Sequence, residues 1–260
     1  MFETIRISVD ARGVAVLTLD RADKHNTLSG RMIAEVTEAT GQLAGDPAVR
    51  VVVLTGAGTS FCAGGDLEWM QAQVAGDAAS RRTAATALAM MLNGLNLLPK
   101  PLIGRVNGQA YGGGVGLMSV CDAAIGVQGA SFGLTETRLG LIPATIGPYV
   151  LARIGATTAR RYLMASRIFD AQVAVGIGLL ADAVAPEALD SAVEAEISPY
   201  LDCAPGAVAE AKALIRRLTP PIDETLIADT IGALVRRWES PEAAEGIAAF
   251  FAKRRPGWAV

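Results

Sequence analysis

The 260-residue chain contains one histidine, His25, and three cysteines with no C-x-x-C pair among them. A single His removes most zinc sites, which usually draw on several histidines or a cysteine pair, and no metal is expected. Cys62, Cys121 and Cys203 are odd in number and far apart. They read as reduced thiols of a cytoplasmic protein, buried as small hydrophobes. A basic excess is missing too: 23 Lys and Arg stand against 26 Asp and Glu, for a net charge of −3. That balance argues against nucleic acid as a partner, although a small anionic ligand needs only a local cluster of cations. No apolar run reaches the ~20 residues that span a bilayer. The most apolar helical segment, 83–98, is interrupted by Asn93, Gly94 and Asn96, so no membrane association is expected. The opening MFETIRISVD carries Glu3 early and lacks the apolar core of a signal peptide.

What the chain does have is a large apolar share, 51% against 19% charged, with a mean hydropathy of +0.36. A sizeable core follows, and disorder does not. Residues 4–9 and 14–19 alternate and are β-branched around Ala11-Arg12-Gly13, which predicts a hairpin. Ser29 is placed to cap a helix carrying Met32, Ile33, Val36 and Leu43, stopped by Gly45-Asp46-Pro47. Val51 to Leu54 is a continuous apolar run, as in a strand buried on both faces. A glycine-rich loop follows, and Asp66 caps the next helix. Residues 102–106 repeat the pattern: buried strand, glycine loop, helix. A third short strand is predicted over 123–127. From residue 192 only helical patterns remain, starting near Pro205, Asp223 and Pro241. The order predicts an α/β unit over 1–191 and a helical C-terminal subdomain over 192–260.

Two familiar motifs fail on inspection. Gly129-Ala130-Ser131-Phe132-Gly133 matches the G-x-S-x-G nucleophile elbow, but no His follows to act as base. Gly56-Ala57-Gly58 starts like a dinucleotide loop, but its third glycine is missing, and there is no Walker Lys-Ser/Thr. Two glycine loops remain, Cys62-Ala63-Gly64-Gly65-Asp66 and Tyr111-Gly112-Gly113-Gly114, each between a buried strand and a helix. A helix N-terminus has unpaired N–H groups, and glycine lets a ligand oxygen approach them. Each loop alone reads as a tight turn. Two in the same context suggest one N–H each, aimed at a single oxygen, which is an oxyanion hole.

The segments DKHNTLS (23–29), SFCAGGDL (60–67), PLIGRVNGQAYGGGVGL (101–117), FGLTETRLGLIP (132–143) and EGIAAFFAKRRP (245–256) together resemble the crotonase, or enoyl-CoA hydratase/isomerase, superfamily over essentially the whole chain. The resemblance implies a spiral of ββα units with a helical C-terminal part, assembled as a homotrimer or a dimer of trimers. It implies an acyl-CoA thioester as substrate, with coenzyme A part of that substrate and no separate cofactor. By the same resemblance the oxyanion donors are the N–H groups of Gly65 and Gly113.

Hydratases of this family place a Glu three residues after the middle glycine. This sequence has Gly116 there, and keeps the family's other catalytic carboxylate as Glu136. The expectation is a one-carboxylate site, with Gly116 leaving room in the substrate pocket. Three readings stay open: hydration of a 2-enoyl-CoA, double-bond isomerisation by one Glu, and CoA-thioester binding with little turnover. The wording TETRLGLIPATIGPYV, with KHN and YGGG, is most similar to methylglutaconyl-CoA hydratase-like members involved in leucine breakdown. This favours hydration of a branched or methylglutaconyl-CoA-like acyl group. Arg138 is then a candidate partner for a second substrate carboxylate, against the simpler reading of a surface or interface salt bridge. The resemblance lays CoA along Lys24, His25, Asn26, Thr27 and Ala63, with its phosphates near Lys24, Lys253, Arg254 and Arg255. The last three otherwise read as a solvated terminal cluster, and in trimers of the family the C-terminal helix can serve a neighbour's site.

Overall fold

The computed structural model describes residues 1–260. The predicted hairpin forms as β1 (Ile5–Val9) and β2 (Val14–Leu19), paired antiparallel. Ser29 caps α1 (Gly30–Gly45), accepting the Met32 N–H at 3.2 Å. α1 buries Met32, Val36, Ala39 and Leu43, one stripe of a 3.6-residue period.

Three further units then follow the same plan. The first runs β3 (Val51–Gly56), β4 (Ser60–Cys62), α2 (Leu67–Ala75) and α3 (Ala78–Leu97). The second is β5 (Leu102–Val106), β6 (Gln109–Tyr111) and α4 (Gly113–Ser119), and the third β7 (Ala123–Val127), β8 (Ser131–Gly133) and α5 (Gly147–Leu163). The first strand of each unit joins a six-stranded sheet of order β1-β2-β3-β5-β7-β10, parallel from β2 onward. The second joins a small sheet of order β4-β6-β8-β9. β9 (Ile168–Asp170), α6 (Ala171–Gly176) and β10 (Asp182–Val184) complete both sheets. β3 lies centrally in the large sheet and is buried at all six positions, which is why its sequence shows an unbroken apolar run.

Four helices close the chain: α7 (Leu189–Leu201), α8 (Pro205–Leu218), α9 (Glu224–Trp238) and α10 (Pro241–Phe251). The boundary expected between residues 191 and 192 falls inside α7. Leu189, Val193 and Ile197 of that helix lie in the main core, which also holds Val53 and Leu54 of β3. α9 packs Ile227, Ile231 and Val235 on Ala85 and Ala89 of α3. α10 packs Ala243 and Ile247 on Leu141 and Trp238. The guanidinium of Arg237 joins these pieces, donating to the Gly140 carbonyl (Nη2, 2.6 Å) and pairing with Glu242 (2.7 Å). The last two helices therefore cover the segment that follows β8 in the same chain.

One expectation about a single residue needs amendment. Cys62 and Cys121 are buried, and burial pushes both thiols up to about 12; Cys203 is exposed, because it follows the end of α7 rather than facing the core. Ser131 of the false nucleophile elbow is the first residue of strand β8. No helix is long and apolar enough to cross a membrane.

Candidate active site

The two glycine loops meet because β4 and β6 pair in parallel, Ser60 beside Gln109 and Cys62 beside Ala110. Gly64 adopts φ +95°, and a Cβ there would stand 2.9 Å from the Tyr111 carbonyl oxygen, so only glycine allows this closeness. A bridge between Leu28 and Gly65 lays the 24–28 loop along the first glycine loop: the Leu28 N–H donates to the Gly64 carbonyl (2.8 Å) and the Asp66 N–H to the Leu28 carbonyl (3.2 Å). That pairing turns the Gly65 N–H outward with no acceptor in the chain. Gly113 is the first residue of α4, and its N–H has none either, as expected for a first helical turn. Both glycines line one cavity of about 620 Å³.

Asp66 fixes the first loop. Its carboxylate accepts the Glu68 and Trp69 N–H groups at the head of α2, pairs with Arg21 at 2.8 Å and takes the Thr27 hydroxyl at 3.2 Å. Burial alone would raise its pKa; the Arg21 bond and the two N–H donors outweigh this and hold it below the usual carboxylate range.

Glu136 begins a short 3-10 turn, Glu136–Leu139, directly beyond β8. The residue as a whole is half-buried, yet its Oε2 is sealed from solvent and has no hydrogen-bond partner. Burial pushes the carboxyl up to about 7, with its own backbone N–H pulling the other way. A carboxyl oxygen left unpaired in this way costs roughly 1–3 kcal/mol of stability. It is the sole carboxylate on the cavity, whose 27 lining residues include 17 hydrophobic ones.

The structure brings together Gly65, Gly113, Glu136, Arg138, Thr27 and Ala63, all of which line the cavity. Arg138 is exposed and donates to the Ser166 carbonyl at 2.8 Å; no carboxylate of the chain pairs with it. Lys24 and His25 are exposed on the loop beside the site, His25 Nδ1 lying 2.9 Å from Ser60 Oγ. Asn26 is fully buried, and its side chain is spent on the Arg21 N–H and the carbonyls of Ala57 and Ser60. It shapes the loop and has no side-chain group left for a ligand. Lys253 and Arg254 lie outside the cavity, past the end of α10. Arg254 is held in a two-bond pair with Glu245 (2.7 and 2.8 Å).

Gly116 corrects the expectation of pocket room. It does not line the cavity, and a Cβ there would overlap Cγ2 of Ile146. The space that a missing Glu might have left is filled by an isoleucine from the segment leading into α5.

Sequence reasoning missed the rest of the wall: Trp69 and Met70 of α2, Ala85 and Leu88 of α3, Leu234 and Trp238 of α9, and Phe250 of α10. The apolar stripes of these helices were readable, but which stripe faces which is decided by tertiary packing. Phe250 of α10 lines the cavity of its own chain.

Two adjacent helix-start loops with free N–H groups thus lie beside one carboxyl of raised pKa on a single cavity, within a spiral of ββα units. The family model described as enoyl-CoA hydratase/isomerase matches residues 10–260, and the chain belongs to that family. It is an enzyme of the enoyl-CoA hydratase type, acting on acyl-CoA. Among its relatives is the (E)-benzylidenesuccinyl-CoA hydratase of Thauera aromatica, 30% identical over 254 residues, covering 94% of this chain and 95% of that one. Similar solved structures include an enoyl-CoA hydratase from Shewanella pealeana, with a TM-score of 0.82, 36% identity and 99% and 97% of the two chains covered. Another from Mycobacterium smegmatis gives a TM-score of 0.80, 35% identity and 98% and 99% coverage.

Proposed function

We propose that this enzyme hydrates a branched 2-enoyl-CoA with Glu136 as its sole acid–base group. The observation that carries the reading is the buried, unpartnered Oε2 of Glu136 on the same cavity as the free N–H groups of Gly65 and Gly113. The thioester carbonyl oxygen sits between the two N–H donors. Ionised Glu136 takes a proton from water, the water oxygen bonds to C3, and the C2=C3 electrons move onto the carbonyl oxygen as an enolate. That oxygen gains charge as the step proceeds, so the two donors bind the transition state better than the ground state. The enolate collapses when Glu136 returns a proton to C2.

CoA runs along the backbone of 24–27 and Ala63, with Lys24 as the near cation and Lys253 as the free cation of the terminal cluster. The acyl group enters the apolar end of the cavity. Arg138 lines that cavity without a carboxylate partner in its own chain, which supports an acyl group bearing a second carboxylate, as in methylglutaconyl-CoA. The benzylidenesuccinyl-CoA named for the Thauera relative likewise carries a second carboxylate. Assembly as a trimer or a pair of trimers belongs to the same reading.

The presence of one carboxylate also favours a second reading, isomerisation, in which Glu136 moves a proton between C2 and C4. Incubation with crotonyl-CoA, a 3-enoyl-CoA and methylglutaconyl-CoA decides among the readings. A mass gain of one water supports hydration; an unchanged mass with a shifted double bond supports isomerisation; no product from any of them leaves a binding protein. Arg138→Met should raise KM for methylglutaconyl-CoA and leave that for crotonyl-CoA unchanged if the second carboxylate docks there.

A further inference from the structure

Gly112 and Gly116 form one turn at the head of α4, closed by the Gly116 N–H donating to the Gly112 carbonyl at 3.1 Å. Two parts of one segment stack on this turn. The Glu136 carboxyl lies over Gly112, where a Cβ would stand 3.0 Å from Oε1, and Ile146 lies over Gly116. A helical turn advances ~5–6 Å, so the segment from Glu136 to Ile146 runs along the same wall as the carboxyl and ends about one turn away. The residue before Ile146 is Thr145. It is buried, lines the cavity, and its hydroxyl has no hydrogen-bond partner in the chain, yet it is not sealed off as Glu136 Oε2 is. Thr27, the other cavity threonine on this side of the loops, has its hydroxyl committed to Asp66. Tyr111 and Thr135 come from the strand side, at the ends of β6 and β8, and are only half-buried.

We propose that Thr145 holds the attacking water in place of a second carboxylate. This rests on the hydratase reading above. The water donates one O–H to Glu136 and the other to Thr145 Oγ1, which leaves an oxygen lone pair directed at C3. As the C3–O bond forms, the first proton passes to Glu136 and the C2=C3 pair moves into the enolate. Thr145 keeps its own proton throughout; it orients and does not exchange. A neutral acceptor serves this task because only one proton has to leave the water. The same segment that fills the space over Gly116 with Ile146 thus supplies the group that the space was missing.

The test compares Thr145→Val, which keeps the shape and loses the hydroxyl, with Thr145→Ser, which restores it. Two readouts are used: crotonyl-CoA hydration, and exchange of the C2 proton of butyryl-CoA in D₂O, which needs Glu136 and the N–H pair but no attacking water. Thr145→Val should lower the kcat of hydration roughly ten- to hundredfold with KM nearly unchanged, and leave the exchange rate intact. Thr145→Ser should recover most of the hydration. Undiminished hydration by Thr145→Val overturns the proposal, as does an equal loss of hydration and exchange, which marks a structural role. So does the hydration defect appearing in Tyr111→Phe or Thr135→Val instead. A wild-type enzyme that exchanges the C2 proton but hydrates no enoyl-CoA sinks the hydratase reading itself, a result separable from all of these.

Discussion

The carboxyl of Glu136 rests directly on Gly112: a Cβ at position 112 would stand 3.0 Å from Oε1 and 3.8 Å from Cδ. Gly112 also holds φ +48° and ψ −114°, a conformation that side-chain-bearing residues rarely adopt. Gly112→Ala therefore acts twice. It strains the backbone by ~1–3 kcal/mol and pushes the carboxyl off the wall where the free N–H of the next residue opens. Thermal melting should show a lower Tm, and steady-state kinetics on crotonyl-CoA a fall in kcat larger than any rise in KM. Full kcat in a folded Gly112→Ala protein would remove the carboxyl at this position from the chemistry.

Glu136 itself gives a pH signature with two faces. Its folded-state pKa is about 7, raised from an ordinary value of 4.5 by burial. The folded protein thus holds a proton that the unfolded chain has released between those two pH values. The stabilisation from that proton is fully present below pH 4.5 and is lost as pH rises through 7. Glu136→Gln does not titrate, so against wild type it should gain stability between pH 4.5 and 8, by about 3 kcal/mol at the upper end. Activity runs the other way. The reaction needs the ionised carboxyl, so wild-type kcat/KM should rise with pH to a plateau, with its midpoint near 7. Glu136→Gln should lose at least ~10²-fold in kcat. Denaturant melts at pH 5 and 8, together with kcat/KM across that range, check both. A Gln variant less stable than wild type at pH 8 contradicts the burial argument.

The extent to which these features were legible differs by the range of the interactions involved. Ser29, Asp66 and Asp223 were readable as helix starts because capping is local: each accepts an N–H two or three residues on. The central strand β3 showed as an apolar run over Val51 to Leu54. The strands β4, β6 and β8 did not show, since three residues are too few to display a period. At the site, Gly65, Gly113 and Glu136 were visible as motif positions. The Ile146 side chain over Gly116 was not, because residues 30 apart in sequence meet only after α4 and the segment before α5 have docked. The apolar end of the cavity likewise depends on α9 and α10 folding back over the chain's own site.

The oxyanion pair can be tested at Gly113 with a built-in control. Gly113 is the first residue of α4, where proline is tolerated because the N–H has no helical partner. Any side chain there meets Leu28 Cδ1 at 2.7 Å, the movable end of a leucine. Gly113→Ala and Gly113→Pro share that conflict, but only the second removes the N–H. The Pro variant should turn over ~10²–10³-fold more slowly than the Ala variant, with circular dichroism confirming that both fold. Equal kcat values for the two would show that the Gly113 N–H does not bind the thioester oxygen.

Gly116→Glu restores the residue type that hydratases of the family carry at this position, and the packing decides its fate. The new Cβ would overlap Ile146 Cγ2, lie 3.0 Å from Ile146 Cβ and touch Leu92 Cδ1 at 3.7 Å. The Cβ of Ile146 is fixed to its backbone, so relief requires the segment before α5 to move. Overpacking of this kind costs ~1–3 kcal/mol, and a carboxylate wedged among Ile and Leu costs more unless it is protonated. The single variant should melt at a lower temperature and hydrate crotonyl-CoA more slowly than wild type. Replacing the blocking side chain in the same molecule, Gly116→Glu with Ile146→Gly, opens a path from residue 116 towards the cavity. The double variant should be more stable than the sum of the two single changes predicts, with a coupling of ~0.5–3 kcal/mol for residues in contact. It should also hydrate crotonyl-CoA faster than Gly116→Glu alone. Additive stabilities would mean that Ile146 does not occupy the space over residue 116, and a Gly116→Glu protein with wild-type Tm and faster hydration would mean that the space was open from the start.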